Sequence, residues 1–508
     1  MPGGPSTPRP VTPRPGLPDG SVQHHLLWST LACHLESGAG DRPAIHAGEE
    51  TLSYAALGRA VARGGQEIDA RFGAGQRILI ATRNQLDVAT AFLSALASRS
   101  VPLLADPLSR DRLEGLARRF RVGAAIGDRS LFDGIDLPIL GGEDLAAWRD
   151  SSERLELPAV RLADPAFWTF TSGTTGEPRA VVHAHEGPSA AFAAFGRRVV
   201  AFEPRDVVAS TAGLPFVYAL GNALLFPLMA GASTILPSDL LLPTVLAELD
   251  RHRATVLVSG PWSLEAIARL VRRPDWRRGI ERLERVLSAG EPLPASLFER
   301  WRDTFGQPIL DNLGCTEMFN SFVSSRLDDA QAGTLGRPVE GFEVHVDGTA
   351  PRPGARGVLR VRGRSHAIAV SAGGEPVRVE RSRDAWHETG DEVAVDADGR
   401  IVFLGRVDDR FKVKGQFVHP VEVERVLLEV EGVRECLVLP AADEHGLTAV
   451  AARVVVEDGV DAAVVERDVK RHARARLHSH LRPHSIAVVE SLPRNARGKL
   501  ARPRSATG

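Results

Sequence analysis

Short apolar runs alternate with helical patterns of apolar residues through the first third of the chain. Residues 77–81 and 101–105 predict buried strands, and residues 85–98 between them have the apolar spacing of a helix. Residues 51–57 begin as a strand edge and continue into another helix. Runs at 255–259 and 285–289 predict parallel core strands. This alternation is typical of a doubly wound α/β region, in which ligands gather at the carboxyl ends of the strands.

The longest apolar stretch, residues 216–236, has the length of a membrane span but not its composition. Asn222, Pro227 and two glycines interrupt it. A polar amide and helix-breaking residues at these positions favour a buried core segment over a transmembrane helix. We therefore predict that the chain does not enter a membrane.

Composition places the chain among globular proteins with more than one domain. It has 508 residues, of which 43% are hydrophobic and 25% charged, and this length exceeds that of one ordinary core. The formal net charge of −2 gives no electrostatic reason to expect nucleic acid or an anionic membrane surface as a partner. Self-association as a homodimer is left open.

The ends of the chain and its cysteines indicate the compartment. Residues 1–20 are rich in proline and lack the basic and apolar regions of a signal peptide, so we expect them to be disordered. The three cysteines, at 33, 315 and 436, are far apart and show no metal-ligand spacing. A reducing cytoplasm fits this usage best.

Lysine is scarce, which makes each of its positions informative. Among 62 basic residues only four are lysines, at 412, 414, 470 and 499. Lys412 and Lys414 lie in the glycine-flanked segment 405–415, and Lys499 follows Gly498. Lysine offers a compact, flexible point charge that the planar guanidinium of arginine cannot imitate. We expect segment 405–415 to be a hinge between a large and a small domain.

A loop rich in glycine and hydroxyl groups follows the aromatic strand pattern at 167–170. Its members are Thr171, Ser172, Gly173, Thr174, Thr175 and Gly176. Glycines let backbone N–H groups approach a ligand, and hydroxyls add donors, so the loop could wrap polyphosphate oxygens. It lacks the Gly-Lys-Ser/Thr ending of a Walker A loop. From composition alone, a flexible surface turn remains an alternative.

The loop resembles the phosphate-binding signature of the adenylate-forming superfamily, which includes acyl- and aryl-CoA synthetases, adenylation domains and luciferases. Six further segments resemble motifs of this superfamily in the expected order: 288–294, 313–318, 333–338, 386–391, 405–415 and 493–499. The resemblance therefore covers nearly the whole chain. It implies a large α/β N-terminal domain with parallel and mixed sheets and a small α+β C-terminal domain, joined by a hinge. We place the large domain at 21–407, the small domain at 408–508 and the pivot at Asp408.

The resemblance also implies roles for the most specific residues. Lys499 would bridge the substrate carboxylate and the α-phosphate of ATP, although a solvated tail lysine is the plain alternative. Glu317 would hold Mg²⁺, which prefers oxygen ligands, and Thr316 would hydrogen-bond the α-phosphate. Asp391 would accept both ribose hydroxyls, and Arg406 would steady the ribose or phosphates.

Segment 288–294 resembles the adenine-side loop of the superfamily, which assigns Gly290 and Glu291 to the nucleotide. The chain departs from the usual pattern in other places. Arg179 and Ala180 stand where lysine and glycine are common, so the charge on the phosphate loop is kept. Leu313 replaces the usual tyrosine and removes an aromatic face from the adenine site.

The segment after Gly213 resembles the acid pocket of benzoate-type aryl-CoA ligases in particular. The predicted lining residues are Phe216, Val217, Tyr218, Gly221, Gly314, Asn320 and Ser321. An aromatic wall suits a flat ring, and buried polar groups need partners. We therefore expect an aromatic acid that carries a hydroxyl or amino substituent. The alternative is that Asn320 and Ser321 bond only to backbone.

The resemblance leaves the acyl acceptor open. Relatives transfer the acyl group to CoA or to the phosphopantetheine of a carrier protein after the small domain rotates. Lys412 and Gly415 would serve that second step. Because the sequence stops soon after Lys499, we expect no fused carrier domain. Two further interpretations remain open. The acceptor is an amine or nitrite, or the protein is a homologue that binds nucleotide or acid without turnover.

Overall fold

The computed structural model describes residues 25–107, 109–172, 178–271, 274–371, 377–378, 385–494 and 500–502. The proline-rich N-terminus (1–20), loop residues 173–176 and Lys499 lie outside this range. The strands are β1 (Pro43–Ala47), β2 (Glu50–Ser53), β3 (Arg77–Ala81), β4 (Val101–Leu104), β5 (Ala124–Gly127), β6 (Ile139–Leu140), β7 (Pro165–Ser172), β8 (Pro178–Ala184), β9 (Val207–Ser210), β10 (Ser233–Ile235), β11 (Val256–Ser259), β12 (Arg285–Ser288), β13 (Ile309–Cys315), β14 (Asn320–Ser324), β15 (Arg337–Pro338), β16 (Phe342–Val346), β17 (Arg356–Gly363), β18 (Ala369–Ser371), β19 (Val377–Arg378), β20 (His387–Val395), β21 (Ile401–Arg406), β22 (Phe411–Val413), β23 (Gln416–Val418), β24 (Val433–Ala442), β25 (Thr448–Val456) and β26 (Ser485–Val488).

Helices separate most of the strands. The α-helices are α1 (Cys33–Glu36), α2 (Tyr54–Phe72), α3 (Gln85–Ala97), α4 (Arg110–Arg119), α5 (Gly142–Trp148), α6 (Glu186–Ala191), α7 (Val217–Leu220), α8 (Phe226–Ala230), α9 (Leu242–Arg251), α10 (Pro261–Leu270), α11 (Pro274–Glu281), α12 (Ala295–Phe305), α13 (Pro420–Leu427) and α14 (Ala462–Arg476). Turns of 3₁₀ helix are found at Arg129–Leu131, Thr316–Met318 and Val407–Asp409, and π-helical segments at Trp28–Ala32, Phe192–Val200 and Gly221–Leu225.

The predicted strand and helix alternation is confirmed near the start of the chain. Helix α2 begins after Ser53, whose Oγ accepts a hydrogen bond from the N–H of Ala56 at 3.2 Å. Helix α3 begins after Asn84, whose Oδ1 accepts from Leu86 N at 3.0 Å and satisfies one of the free amides of the first turn. Almost every residue of α3 is buried, which fits a helix packed between other layers.

Two large sheets form the body of the protein, and their strand order follows from parallel crossovers. Among the described residues, one sheet has the order β15-β14-β13-β12-β11-β9-β10-β1-β2, and the other has the order β19-β18-β8-β7-β4-β3-β5-β6. Strands β9 to β13 are parallel neighbours, as are β3, β4, β5 and β7. The prediction of parallel core strands at 255–259 and 285–289 is thus confirmed, because β11 pairs with β12 in parallel.

The apolar stretch 216–236 belongs to this body. It forms α7, a π-helical turn, α8 and β10, and it is buried at every position except 216 and 230. Within the part of the chain that the structure describes, no helix is long and apolar enough to cross a bilayer.

The C-terminal part has a core of its own. A four-stranded antiparallel sheet, β16-β17-β20-β21, ends the large domain, and the chain then passes through the turn at Val407–Asp409. Hairpin β22-β23, sheet β24-β25-β26 and helices α13 and α14 surround a separate apolar cluster that includes Phe411, Val438 and Val469. The predicted α/β architecture with a small α+β domain is confirmed, whereas the exact boundary at 407/408 stays a prediction.

Candidate active site

A cavity of about 2310 Å³ lies where the carboxyl ends of β7, β12 and β13 meet the small domain. Most of the residues predicted from the sequence contribute to its wall: Thr171, Arg179, Phe216, Val217, Tyr218, Gly290, Glu291, Gly314, Thr316, Glu317, Asn320, Ser321, Asp391, Arg406 and Asp408. Residues distant in sequence are therefore brought to one place, at the sheet edge where an α/β fold offers its ligand site.

A few predicted residues lie elsewhere. Gly221 is buried one layer behind the wall, where a Cβ would come within 2.3 Å of the Asn320 Nδ2 atom. Lys412 lies on hairpin β22-β23 with its Nζ 4.9 Å from the ring centroid of Phe417, and neither Lys412 nor Gly415 lines the cavity. Gly173, Thr174, Thr175, Gly176 and Lys499 are outside the described residues, and only the backbone of Ser172 is described.

Strands β7 and β8 hold the two ends of the glycine-rich segment at the cavity. They pair in antiparallel register, with Thr171 opposite Arg179 and Ser172 opposite Pro178. Thr171 and Arg179 both line the wall. One hydroxyl and one guanidinium thus mark the place where an anion would be received.

The turn that carries Thr316 and Glu317 is fixed by close backbone packing. A Cβ on Gly314 would lie 2.4 Å from the backbone oxygen of Asn320, so only glycine fits there. The backbone N–H of Ala367 donates to the backbone oxygen of Glu317 at 2.7 Å. Phe319 adopts φ 60° and packs edge-on against Phe167 at 5.6 Å. The carboxylate of Glu317 is therefore presented from a rigid turn.

Two further side chains approach the Glu317 carboxylate. The sulfur of Cys315, a carboxylate oxygen of Glu317 and a ring nitrogen of His387 all lie within 4.8 Å of one another. The Nε2 atom of His387 is 3.9 Å from Glu317 Oε2. Burial lowers the pKa of His387, so its imidazole is neutral at neutral pH, and burial raises the pKa of the Cys315 thiol.

Asp391 and Arg406 form a pair on neighbouring strands β20 and β21. The Nη1 atom of Arg406 lies 2.9 Å from Asp391 Oδ1 and 2.7 Å from the backbone oxygen of Thr389. Burial raises the pKa of Asp391, and the guanidinium opposes that rise. Asp391 lines the cavity beside Arg406, and the two acceptor oxygens of a carboxylate suit a pair of hydroxyl groups.

A chain of hydrogen-bonded side chains runs behind the aromatic wall. Asn312 Nδ2 donates to Ser288 O at 2.8 Å and to the Tyr218 hydroxyl at 3.4 Å. The hydroxyl of Ser321 donates to Asn312 Oδ1 and contacts Asn320 Oδ1 at 3.1 Å. Burial raises the pKa of Tyr218, which keeps its phenol protonated. The alternative that Asn320 and Ser321 bond only to backbone is therefore wrong.

One hydrogen-bond donor of this side-chain network has no partner among the described residues. Asn222 Nδ2 donates to Asn320 Oδ1 at 3.1 Å, whereas Asn320 Nδ2 is buried without a hydrogen-bond partner among the described residues. Asn320 lines the cavity. The Nδ2 atom lies beside Gly221, behind the cavity wall, so it is an unpaired buried donor that costs free energy and is shielded from the cavity.

The small domain reaches the same cavity through the residues that flank segment 495–499. The backbone N–H of Leu500 donates to Glu291 Oε1 at 3.0 Å, and the guanidinium of Arg494 lies 5.6 Å from the ring centroid of Trp262. Both ends of the segment that carries Lys499 are thus held against the large domain.

Several wall residues escaped the sequence argument. Asn312, Trp262, Arg494 and His366 line the cavity, yet none belongs to the catalytic positions read from the motifs. The sequence offered a partial signal for Asn312, which immediately precedes Leu313. Trp262 and Arg494 come together only through the packing of the two domains, so no local pattern could have paired them.

Comparisons with known proteins agree with this geometry. Residues 35–369 match the family of AMP-binding enzymes, and residues 422–499 match the C-terminal domain of these enzymes. The chain is 32% identical over 450 residues to a benzoate–CoA ligase of Thauera aromatica, covering 84% of each. It is 34% identical to a p-hydroxybenzoic acid–AMP ligase of Mycobacterium tuberculosis, covering 92% of this chain but 66% of that one. An anthranilate CoA ligase, AuaEII, solved with anthranoyl-AMP, superposes with a TM-score of 0.83 at 25% identity, over 94% and 95% of the two chains.

Proposed function

The chain belongs to the AMP-binding enzyme family, and from this membership we propose that it is an aryl-CoA ligase. It activates an aromatic carboxylic acid with ATP and then passes the acyl group to the thiol of coenzyme A. The observation that carries the proposal is the common cavity, in which the Thr316–Glu317 turn, the Asp391–Arg406 pair and the Tyr218 wall meet.

In the first step an oxygen of the acid's carboxylate attacks the α-phosphorus of ATP. A mixed anhydride with AMP forms, and pyrophosphate leaves with the electrons of the broken P–O bond. Two anions must approach each other, so positioning and charge neutralisation supply most of the catalysis. Arg179 and Thr316 receive phosphate oxygens, and Asp391 accepts the ribose hydroxyls.

Magnesium fits the donor set beside this position. Glu317 offers a carboxylate from a rigid turn at the wall, and one protein carboxylate together with phosphate oxygens is a usual way to hold Mg²⁺. When bound, the ion neutralises charge on the phosphates. Gly290 and Glu291 form the adenine side, and Glu291 also fixes Leu500 beside Lys499.

In the second step the thiol sulfur attacks the acyl carbon, and AMP leaves. Lys412 and Gly415 do not line the cavity in this structure, which suits groups that act only after the small domain turns about Asp408. Gly415 has φ 80°, and no atom lies within 4 Å of the position of a Cβ, so a narrow arm could pass beside it.

The polar side chains at the aromatic wall support an acid with a polar ring substituent. Ser321 and Asn320 line the cavity and belong to a hydrogen-bonded network with Asn312, and a polar group buried on the ring needs such partners. A hydroxyl group both donates and accepts hydrogen bonds, and the p-hydroxybenzoic acid–AMP ligase is 34% identical to this chain. Hydroxybenzoates are therefore favoured over aminobenzoates and over unsubstituted benzoate.

An ATP–pyrophosphate exchange assay tests the first step. The acids offered are 3- and 4-hydroxybenzoate, benzoate, 2- and 4-aminobenzoate and a short alkanoate. Exchange is expected with the aromatic acids and fastest with a hydroxybenzoate. No exchange with any of these acids would overturn the proposed function, and faster exchange with the alkanoate would overturn the choice of acid.

The role of Lys499 is tested by separating the half-reactions. Lys499→Ala should abolish adenylate formation and spare thioester formation from a supplied acyl-adenylate. Equal loss in both assays would contradict the assignment. Lys470→Ala is the matched control, because Lys470 lies on the exposed face of α14 and pairs with Glu466 at 2.6 Å.

A second candidate acceptor is the phosphopantetheine of a separate carrier protein. The observation that favours it is the similarity to an AMP ligase of which this chain spans 66%. Mass spectrometry with CoA and phosphopantetheinylated carrier offered in parallel separates the acceptors. Acyl-CoA is the expected product, and exclusive loading of the carrier would support the second candidate.

A further inference from the structure

Three donor atoms of different chemistry meet at the floor of the cavity. They are the Sγ of Cys315, a carboxylate oxygen of Glu317 and a ring nitrogen of His387, all within 4.8 Å of one another. The side chains of Glu317 and His387 are 18% and 21% exposed, so the group is accessible from the cavity. This set combines sulfur, oxygen and nitrogen at one point.

Two of these three donors, the sulfur of Cys315 and the ring nitrogen of His387, do not match magnesium, the cation of the proposed ligase reaction. Magnesium takes oxygen ligands, and neither a thiolate nor an imidazole is among those it prefers. Zinc, in contrast, binds Cys sulfur at about 2.3 Å, His nitrogen at about 2.0–2.1 Å and carboxylate oxygen at about 2.0–2.2 Å. Magnesium therefore does not explain the Cys315 sulfur and the His387 nitrogen, which are typical ligands of a borderline-soft divalent ion.

The spacing is close to what such an ion needs. In a tetrahedral site with these bond lengths, the donor atoms are separated by roughly 3.3–3.8 Å. Glu317 Oε2 and His387 Nε2 already lie 3.9 Å apart, and no pair in the group exceeds 4.8 Å. Small changes of side-chain torsion close the difference without movement of the backbone.

The backbone under the three donors is held in place. Cys315 is the last residue of β13, and Glu317 follows two positions later in the 3₁₀ turn, which the Ala367 N–H fixes at 2.7 Å. His387 begins β20 and pairs with Val361 of β17. Its ring packs against that of His366, with centroids 5.5 Å apart. Two donors are thus presented by strand ends, and the third comes from a 3₁₀ turn that a backbone hydrogen bond holds in place.

We propose that Cys315, Glu317 and His387 form a binding site for a thiophilic divalent cation, zinc in particular, with a fourth coordination position open to the cavity. The occupied site withdraws Glu317 from its role beside ATP. Zinc and magnesium–ATP therefore exclude each other, and this consequence rests on the proposed function, whereas binding of the cation does not.

Co²⁺ binds the same ligands as zinc and forms coloured complexes, so its absorption reports binding directly. Adding Co²⁺ to the chelator-treated protein should produce the near-ultraviolet absorption of a thiolate–cobalt bond, and Zn²⁺ should bleach it. Cys315→Ser and His387→Gln should each weaken Zn²⁺ binding by more than the roughly 10–100-fold that loss of an outer-shell partner costs. Mg²⁺ alone should not displace the cobalt.

Matched variants separate this site from adventitious binding. Cys33→Ser removes another partly buried thiol, and His345→Gln removes an imidazole that stacks on Trp386 at 4.0 Å. Both should retain the cobalt spectrum. Absence of the thiolate band in the wild type, or its persistence in Cys315→Ser, would overturn the proposal.

A measurement on the unaltered protein guards against variants that fold poorly. Zn²⁺ at the site should protect Cys315 from alkylation, as read by peptide mass spectrometry, and a chelator should restore the reaction. Unchanged alkylation of Cys315 in the presence of Zn²⁺ would also overturn the proposal.

The competition is measured separately, by pyrophosphate exchange at several concentrations of magnesium–ATP. Zn²⁺ should inhibit competitively in the wild type. Exchange without zinc reports on the proposed function alone, so its absence would refute that function and leave the cobalt result standing. Cobalt binding with non-competitive inhibition would refute only the exclusion of ATP.

Discussion

At the scale of single residues, two buried carboxyl groups of the site differ in how their charge is compensated. Asp391 has the Arg406 guanidinium at 2.9 Å. Among the described residues, the Asp311 carboxylate accepts one hydrogen bond, from Asn312 N at 3.1 Å, and has no cation partner. Burial raises the pKa of both, and it raises that of Asp311 well above 3.8. An uncompensated buried charge is costly, so Asp311 is a source of instability where it ionises.

Asp311→Asn should stabilise the protein at alkaline pH. Because the folded-state pKa is raised, the folded chain keeps a proton that the unfolded chain releases near pH 3.8. The associated stability is fully present below that pH and is lost as the pH rises toward the folded pKa. Thermal melting should show a higher Tm for the variant than for the wild type at pH 8, and a difference that shrinks toward pH 4.

The companion variant Asp391→Asn provides the control for this result. It removes a carboxylate that has a cation partner and should lower the Tm at pH 8. A constant difference between Asp311→Asn and the wild type across this pH range would contradict the assignment of a proton to Asp311.

Gly314→Ala should damage both stability and acid binding. The added Cβ would lie 2.4 Å from the backbone oxygen of Asn320, and backbone cannot yield as a flexible side chain can. Overpacking of this kind costs about 1–3 kcal/mol. Chemical denaturation should show the loss of stability, and the KM for the acid should rise, because Gly314 and Asn320 both line the cavity.

Gly115→Ala is the matched control for this substitution. Gly115 lies inside α4, and no atom is within 4 Å of the position of its Cβ. Alanine there should be neutral or stabilise the helix by about 0.5–1 kcal/mol. A destabilisation as large as that of Gly314→Ala would mean that close packing is not the cause.

At the scale of elements, the turn Val407–Asp409 joins parts of the chain with different partners. Before it, β21 pairs with β20 of the large domain. After it, β22 pairs with β23, and Phe411 enters the core of the small domain. A change of orientation between the domains must therefore be absorbed within these few residues.

Asp408→Pro should slow the second half-reaction more than the first. Proline fixes its own φ and restricts the residue before it, so Val407 would lose the freedom to change conformation. We expect the rate of thioester formation to fall more than that of adenylate formation, because hinge residues absorb the φ/ψ change of domain rotation. Single-turnover assays of the two steps make the measurement.

Ala397→Pro is the control, because it makes a turn outside the hinge more rigid. Ala397 is exposed in the turn that joins β20 and β21, where the Gly399 N–H donates to Asp396 O at 3.1 Å. Proline at such a position of a turn is favoured. Equal slowing of both half-reactions by Asp408→Pro would contradict a pivot at this residue.

These elements also show what the sequence could predict. Strands 77–81 and 285–288 contain short apolar runs, at 78–81 and 286–287, so their existence followed from the hydrophobic pattern. The ordered motifs fixed Thr316, Glu317, Asp391 and Arg406 at the cavity. In contrast, the contact of Asn312 with Tyr218, at 3.4 Å, spans 94 positions and depends on how the α7 region lies over β13. Local patterns contain no information on such a register, and the same holds for His387 beside Cys315.

At the scale of the whole molecule, polar contacts dominate the described junction between the two domains. Glu392 on β20 accepts from Arg410 at 3.2 Å and lies 3.1 Å from His419 Nε2, and both partners come after the turn. Arg425 Nη2 donates to Phe403 O at 2.5 Å. Among the residues that the structure describes, the apolar cluster of the small domain begins at Phe411. Such a junction can open without exposing a core.

Glu392→Gln should slow adenylate formation and spare the thioester step. The amide keeps the shape of the side chain but loses the charge that attracts Arg410, so the orientation in which Leu500 contacts Glu291 becomes less populated. Presteady-state measurement of both steps makes the test. Glu343→Gln is the control, because Glu343 forms an exposed pair with Arg362 within one sheet at 2.6 Å. Slowing of the thioester step alone would contradict this role for Glu392.

Because the junction between the two domains is polar, the ionic strength of the solution affects the catalytic cycle. The Debye length is about 10 Å at 0.1 M and about 3 Å at 1 M ionic strength, so added salt weakens the attraction between Glu392 and the partly exposed Arg410. Apolar packing inside each domain is not weakened in this way. Raising the ionic strength should therefore change the ratio of adenylate to thioester formed per unit time before either domain loses its fold. The ionic strength of the buffer then determines which half-reaction limits the overall rate.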